Sequence, residues 1–487
     1  MSQEILINLT PRETRVALVE NGVLQEIHLE RAQRRGLVGN IYLGSVRRVL
    51  PGMQAAFIDA GLERTAFLHV SDLQRDIVEP VPPIDRLIRE QQSLLVQVIK
   101  DPIGNKGARV TTQITVPSRY LVLTPSSIGT GISARIEDEN ERVRLRSLGQ
   151  ALNEQSEGDN RNRVGLIFRT AAEGACEEAI NADREFLLRL WDSIGQRAAH
   201  AQPGDLVHED LPLYLRSMRD LANRDLERVR IDSREGYQRL LAFCSDLLPH
   251  TVEQIEPYSG ERPIFDLYGI EDEIERALSR RVDLKSGGHL VIDQTEAMTI
   301  VDVNTGGFVG RRNVDETIFK TNLEAAQAIA RQLRLRNIGG IIIVDFIDMS
   351  DPEHQRQVLR ALEKSLERDH AKTQIGEVSA LGLVEMTRKR IRESLEQITC
   401  EPCPNCSGRG TVKSAETVAY EIFREILREV RQFESQRIMV LAAPSVVETL
   451  LDEESTSLAH LEEFIERPIE LQVETLYAPD QFDVIPV

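Results

Sequence analysis

The alternation of apolar and polar positions is most orderly between residues 296 and 349. EAMTIVDVNTGG alternates, which predicts a strand carrying Asp302 and Asn304 on one face and ending in two glycines. GGIIIVDFIDM is a continuous apolar run through Ile341, Ile342, Ile343 and Val344 with Asp345 at its end, the pattern of a strand covered on both faces. Between the two, Ile318, Leu323, Ala326, Ile329, Ala330 and Leu333 recur at three-to-four spacing and predict a helix. Strand, helix and strand in that order predict a right-handed crossover that brings the carboxyl ends of both strands side by side.

The same periodicities divide the rest of the chain. Alternating strands flank Asn21-Gly22, a hairpin signal. From Gly39 to about Pro125, short strands separated by turn residues predict a small β-barrel. A glycine-containing stretch, a charged helix, the apolar strand VGLIFRTAAEG and a long helix through Trp191 follow, to about 212. From Gly204 to about Arg280 strands and helices alternate, beginning with DLVHE and without catalytic motifs. A strand pair around a Gly-Gly turn then leads into the 296–349 stretch, and a last α/β segment includes a helix over 416–433. The fold class expected is multi-domain α/β (α+β).

Composition narrows the setting. With 487 residues and 41% hydrophobic content, roughly three to five domains are expected. No apolar run reaches the roughly 18 residues of a membrane span, and the N-terminus lacks a basic start before an apolar stretch, so a cytoplasmic location is expected. The net charge of −19 counts against nucleic acid as partner, but weakly, because about 8 Å of physiological buffer screens a local basic patch from distant acidic surface. Of five cysteines, Cys176 and Cys244 stand alone, whereas Cys400, Cys403 and Cys406 crowd together, a pattern for metal rather than for a disulfide framework.

Four constellations carry candidate chemistry. Asp302, Asn304 and Asp345 form an oxygen site suited to magnesium, which takes one or two carboxylates and completes its shell with water and phosphate; the alternative is that each Asp caps the turn or helix that follows. Phe57 and Phe67 on adjacent strands, with Lys100, Lys106 and Arg109 around the GNKGA turn, suit a single-stranded nucleic acid, the alternative being core phenylalanines beside a decorated loop. Arg169 and Thr170 close the strand GLIF and offer a fork and a hydroxyl to a terminal phosphate; the alternative is a solvated charge. Cys403 and Cys406 are half of a zinc site. Cys400 is a possible third ligand, and a two-fold axis joining two copies would complete four; a disulfide or redox pair is the rival.

VDVNTGG, NLEAAQAIARQLRLRNIGGIIIVDFIDM and CPNCSGRGTV closely resemble the bacterial ribonuclease E/G family of single-strand-specific endoribonucleases, essentially end to end. With no long tail after the last folded segment, the chain looks most like the shorter-chained branch of that family. The resemblance implies a ribonuclease H-like domain (1–38 and 213–279) carrying an inserted S1, OB-type barrel (39–125) and a 5′-sensor domain (126–212). A DNase I-like catalytic subdomain (280–399), a zinc link (400–412) and a small C-terminal α/β domain (413–487) follow. It implies magnesium on Asp302 and Asp345 with Asn304 orienting the scissile phosphate, RNA on Phe57, Phe67 and Lys106, and a 5′-monophosphate on Arg169 and Thr170 with Val122 in support. Two departures touch that pocket: Lys372 stands where the family has an arginine, and Ala134 replaces one of a pair of arginines next to Arg135. The resemblance further implies zinc shared between the Cys403 and Cys406 pairs of two subunits in a homodimer or higher homo-oligomer. Its expected products are 5′-phosphate and 3′-hydroxyl ends, and its expected role is 16S ribosomal RNA 5′-end maturation and messenger turnover. A non-catalytic RNA-binding scaffold is the competing function.

Overall fold

A computed structural model describes residues 2–73, 82–102, 106–127, 129–154, 164–222, 226–306, 314–390 and 392–487. Gly104 and Asn105 of the GNKGA turn and Gly307, the second glycine after Asn304, lie outside the described residues. The chain forms two compact units, Met1–Ile398 and Thr399–Val487.

In the first unit, a five-stranded sheet runs in the order Ile255–Pro257, Leu226–Ile231, Gln3–Leu9, Glu13–Glu20, Val23–Arg31. Asn21 and Gly22 have φ of 49° and 77°, the two positive values that a type I′ hairpin turn needs. Ile5, Leu6 and Ile7 are all fully buried because both faces are covered. Ile5 and Ile7 pack with Met218 and Leu240, and Leu6 packs with Phe265 and Leu335.

Ile41–Leu50, Ala55–Asp59, Ala66–His69, Arg109–Thr111 and Ser93–Lys100 pair in that order, and the last pairs back onto the first. The result is a closed five-stranded barrel around Val46, Ile58, Leu68, Val96 and Val110. Three strands fall elsewhere than the pattern suggests. Leu206–His208, expected to open the next α/β stretch, pairs with Ile41 and Tyr42 of the barrel. The first residues of Ile41–Leu50 overhang the Ala55–Asp59 strand, which pairs only from Ser45 onward, and the free edge is filled from outside. Val116–Pro117 and Leu121–Thr124, inside the stretch expected to be barrel, instead join Gly165–Phe168 and Thr130–Ile132 in a four-stranded sheet. The barrel has closed before the chain reaches them. Helices Glu139–Glu154 and Glu177–His200 cover this sheet through Leu145, Ile180, Leu187 and Ile194.

The 296–349 stretch lies in a six-stranded sheet ordered Arg281–Asp283, His289–Gln294, Met298–Asn304, Gly340–Asp345, Leu383–Arg388, Thr373–Val378. Met298–Asn304 and Gly340–Asp345 run parallel, joined through the helix Val314–Leu335. That helix and Pro352–Leu366 bury one face through Ala326, Ile329, Leu333, Val358 and Leu362 against Val301, Val303, Ile342 and Val344. The expectation that Gly340–Asp345 is covered on both faces is wrong: Ile300 and Ile341, on the opposite face, are 41% and 48% exposed. An apolar run of four residues satisfies a half-covered strand as readily as a fully covered one.

In the second unit, Ile438–Ala442 lies between Ile469–Val473, parallel to it, and Phe482–Pro486, antiparallel. The helices Ala415–Gln432, Pro444–Leu451 and Ser455–Ile465 share its core, with Ile422, Ile426, Val440, Val446 and Leu450 fully buried. Among the described residues no helix is long and apolar enough to cross a membrane.

Candidate nuclease centre and RNA-binding surfaces

Asp302 and Asp345 are direct neighbours, paired across the two parallel strands. Alternation puts Val301, Val303 and Val344 into the core, so both carboxylates stand on the open face, and both are exposed. Asn304, two residues on, donates from Nδ2 to Asp302 Oδ2 at 2.9 Å. Burial, Asp302 and Asp348 push the Asp345 carboxyl above its ordinary value, as expected for clustered acids. The capping alternative fails for Asp345. The helix that follows is capped by Asp351, which accepts the Glu353 N–H at 2.8 Å.

Four supporting residues escaped the sequence reading. Asp348 adds a third acid, visible only as the second Asp of FIDM. Asn322, fully buried on the helix, donates to the Ile347 carbonyl at 2.8 Å and accepts the Ile347 N–H at 3.1 Å, pinning the chain just after Asp345. Its signal was a lone amide on an apolar helix face. Gly288 lets the Gly-Gly turn press on the other strand end, since a Cβ there would meet the Asn304 carbonyl at 2.5 Å. Two residues beyond Asn322 on the helix, Glu324 holds that turn by accepting the N–H groups of Lys285 at 2.5 Å and Ser286 at 2.9 Å.

On the barrel, Phe57 and Phe67 pair across neighbouring strands with ring centroids 6.3 Å apart, edge to face. Both are half-buried on the outer face, whereas Ile58 and Leu68 fill the interior, so the phenylalanines are not core. The register extends the row: Arg48 pairs with Phe57, Phe67 with Arg109, and Arg109 with Lys100. Arg48 was missed because a bulge between Val46 and Arg48 breaks the alternation that would have revealed it. Arg109 is tied to Asp72 at 2.8 Å, while Lys100 and Lys106 are exposed.

Arg169 is not a free fork. Nη1 donates to the Ser118 carbonyl at 2.5 Å and Nη2 to Asp220 Oδ1 at 2.7 Å. The Thr170 hydroxyl meets Ser133 Oγ at 3.2 Å, and Val122 pairs with Ile167 on the adjacent strand. Arg135 Nη2 donates to the carbonyls of His370 at 2.8 Å and Asp369 at 3.2 Å, so the segment leading to Lys372 is tied to this side of the fold.

In the second unit, Cys403 and Cys406 lie at a tight turn in which Ser407, Gly408 and Gly410 have φ of 50°, 84° and 80°. The Gly410 N–H donates to Cys406 Sγ at 3.3 Å. That bond, the Gly408 and Arg409 N–H groups and the nearby Cys403 thiol lower the Cys406 pKa, which favours the thiolate a metal needs. Among the described residues no third His, Cys, Asp or Glu joins the pair, so Cys400 stays outside it.

The model of the Ribonuclease E/G family matches residues 115–391, and that of the RNase E/G, Thioredoxin-like domain matches residues 402–486. Ribonuclease G of Salmonella typhimurium (strain SL1344) is 53% identical over 497 residues, and Ribonuclease G of Escherichia coli (strain K12) is 52% identical over 495, each covering 100% of both chains. Ribonuclease E of Escherichia coli (strain K12) is 37% identical over 470 residues, covering 94% of this chain and 44% of the relative. The matches span the acid pair and the Cys-x-x-Cys turn alike, and the chain belongs to the Ribonuclease E/G family.

Proposed function

We propose that the protein is a metal-dependent endoribonuclease that cleaves single-stranded RNA, favours 5′-monophosphorylated substrates and leaves 5′-phosphate and 3′-hydroxyl ends. The observation that carries this reading is the in-register pair Asp302 and Asp345 with Asn304 bonded to it on an open sheet face. Two exposed carboxylates and an amide oxygen are hard donors, too few to enclose a cation, and so leave room for water and phosphate. Magnesium held there would supply the Lewis acidity that activates a bound water and neutralises charge on the scissile phosphate. Asn304 keeps one amide N–H beyond its bond to Asp302 and orients a phosphate oxygen with it. Asn322 and Glu324 fix the two chain segments that frame the pair. The relatives' shared name supports RNA as the substrate, and resemblance to their family implies ribosomal RNA maturation and messenger turnover. Incubation with an end-labelled single-stranded RNA and magnesium tests the reading: shortened labelled fragments that end at internal positions are expected, and RNA bound but left whole would favour the scaffold function.

The barrel row of Phe57 and Phe67 with its neighbouring cations binds single-stranded RNA. Phe57→Ala and Phe67→Ala are each expected to weaken single-stranded RNA binding by about 1–3 kcal/mol, a factor of roughly 5 to 150, the value of one stacked base. Filter binding checks this, and unchanged affinity in both variants would remove the aromatic row from the RNA path.

The Arg169 and Thr170 pocket reads the 5′ end. Arg169→Gln is expected to slow cleavage of 5′-monophosphorylated RNA to the rate seen with a 5′-hydroxyl, because a lost Arg–phosphate contact matters only when the phosphate is present. Equal slowing of both substrates would assign Arg169 to folding or general binding.

A further inference from the structure

Arg169 reaches its place through a residue that lies far from it in sequence. Its Nη2 bonds Asp220, at the end of the helix Leu213–Leu221, and the Asp220 carboxylate is itself held by Arg219, whose Nε and Nη2 donate to it at 3.1 and 2.9 Å. Arg219 is buried, and its helix is anchored by Leu213, Met218 and Leu221 against Ile5 and Ile7. The other contact of Arg169, the Ser118 carbonyl, is equally fixed. Ser118 Oγ donates at 2.5 Å to the buried Asp183, which also accepts the N–H groups of Tyr120 and Leu121 at 2.9 and 3.0 Å. Arg119 then bridges the two anchors by donating to the Arg219 carbonyl at 2.9 Å.

Two properties make this more than a surface ion pair. Arg169 and Asp220 keep 28% and 32% of their side chains exposed, so a ligand can reach the guanidinium while its far side stays bonded. Although burial opposes it, bonding to Arg219 and the charges of Arg219 and Arg169 bring the Asp220 pKa down to about 2, so the anchor is ionised at any working pH.

We infer that Asp220 is a positioning residue of the 5′-phosphate pocket, which fixes the direction in which Arg169 presents its remaining N–H groups to a terminal monophosphate. The inference rests on the reading of Arg169 given above. A guanidinium fixed in advance loses less freedom on binding than one that must be ordered by the ligand.

The test compares cleavage of one RNA oligonucleotide carrying either a 5′-monophosphate or a 5′-hydroxyl by the unaltered protein, Asp220→Asn and Arg169→Gln. The readout is the ratio of kcat/KM for the two substrates, which a general folding defect does not move. Asp220 accepts three guanidinium N–H groups on two oxygens, and an amide offers one oxygen, sets an NH2 against a guanidinium and removes the charge, so Asp220→Asn should lower the ratio about tenfold, mainly through KM for the monophosphate. An unchanged or higher ratio in Asp220→Asn, with Arg169→Gln losing the preference, overturns the inference and leaves the pocket standing. Equal slowing of both substrates by Asp220→Asn also overturns it, in favour of a structural role. A preference that survives Arg169→Gln would instead overturn the pocket on which the inference rests.

Discussion

Asp302→Asn or Asp345→Asn is expected to abolish RNA cleavage while leaving affinity for single-stranded RNA within about twofold, since a cation held by this pair acts on charge developing in the transition state whereas affinity comes from the barrel. Loss through unfolding is not expected. Both side chains are exposed and the amide is isosteric. For Asp345 the sign is clear: its folded pKa is raised, so the folded state holds the proton more tightly and the charged carboxylate costs stability above that pKa. The cost disappears only as the pH falls below the unfolded value, about 3.9. At neutral pH Asp345→Asn should therefore melt at the same temperature as the unaltered protein or higher. Near-normal turnover by either variant at saturating magnesium would remove the pair from the centre.

The acid pair was legible because strand alternation leaves a visible mark: VDVN and IIIVD put their polar atoms at strand ends that a crossover must bring together. What covers the strands was not legible. Ile341 and Ile300 look like core in sequence, and only the positions of the helices on one face show that they are exposed. The strand Gln3–Leu9, which is covered on both faces, carries no longer an apolar run. The supporting contacts were hidden for a different reason. Asn322 to Ile347 spans 25 positions and Arg169 to Asp220 spans 51, and no local periodicity reports a bond between elements that meet only in the fold. Arg48 was hidden by a bulge that shifts its register onto Phe57.

The second large effect concerns assembly. Cys403 and Cys406 offer two soft ligands, with the Gly410 N–H turned onto one sulfur, and a closed tetrahedral zinc needs four. Among the described residues nothing of this chain completes the set, whereas a second copy related by a two-fold axis brings the same pair again. Zinc bound there would join two chains by closing one tetrahedron. The double variant Cys403→Ser and Cys406→Ser is expected to release the metal, shift the protein from dimer or higher oligomer toward monomer and reduce activity, with Asp302 and Asp345 untouched. Light scattering and metal analysis check this together. One zinc per two chains in the unaltered protein agrees with the shared site; one zinc per chain, or a double variant that remains fully dimeric, contradicts it.

The most direct test of the central claim, that Asp302 and Asp345 form a hard-cation centre for RNA hydrolysis, is cleavage of a single-stranded RNA with magnesium and with EDTA, followed by analysis of the new ends. The account predicts cleavage with magnesium, none with EDTA, recovery when magnesium is restored in excess, and 5′-phosphate and 3′-hydroxyl products. Undiminished cleavage in EDTA, or products ending in a 2′,3′-cyclic phosphate, would contradict it.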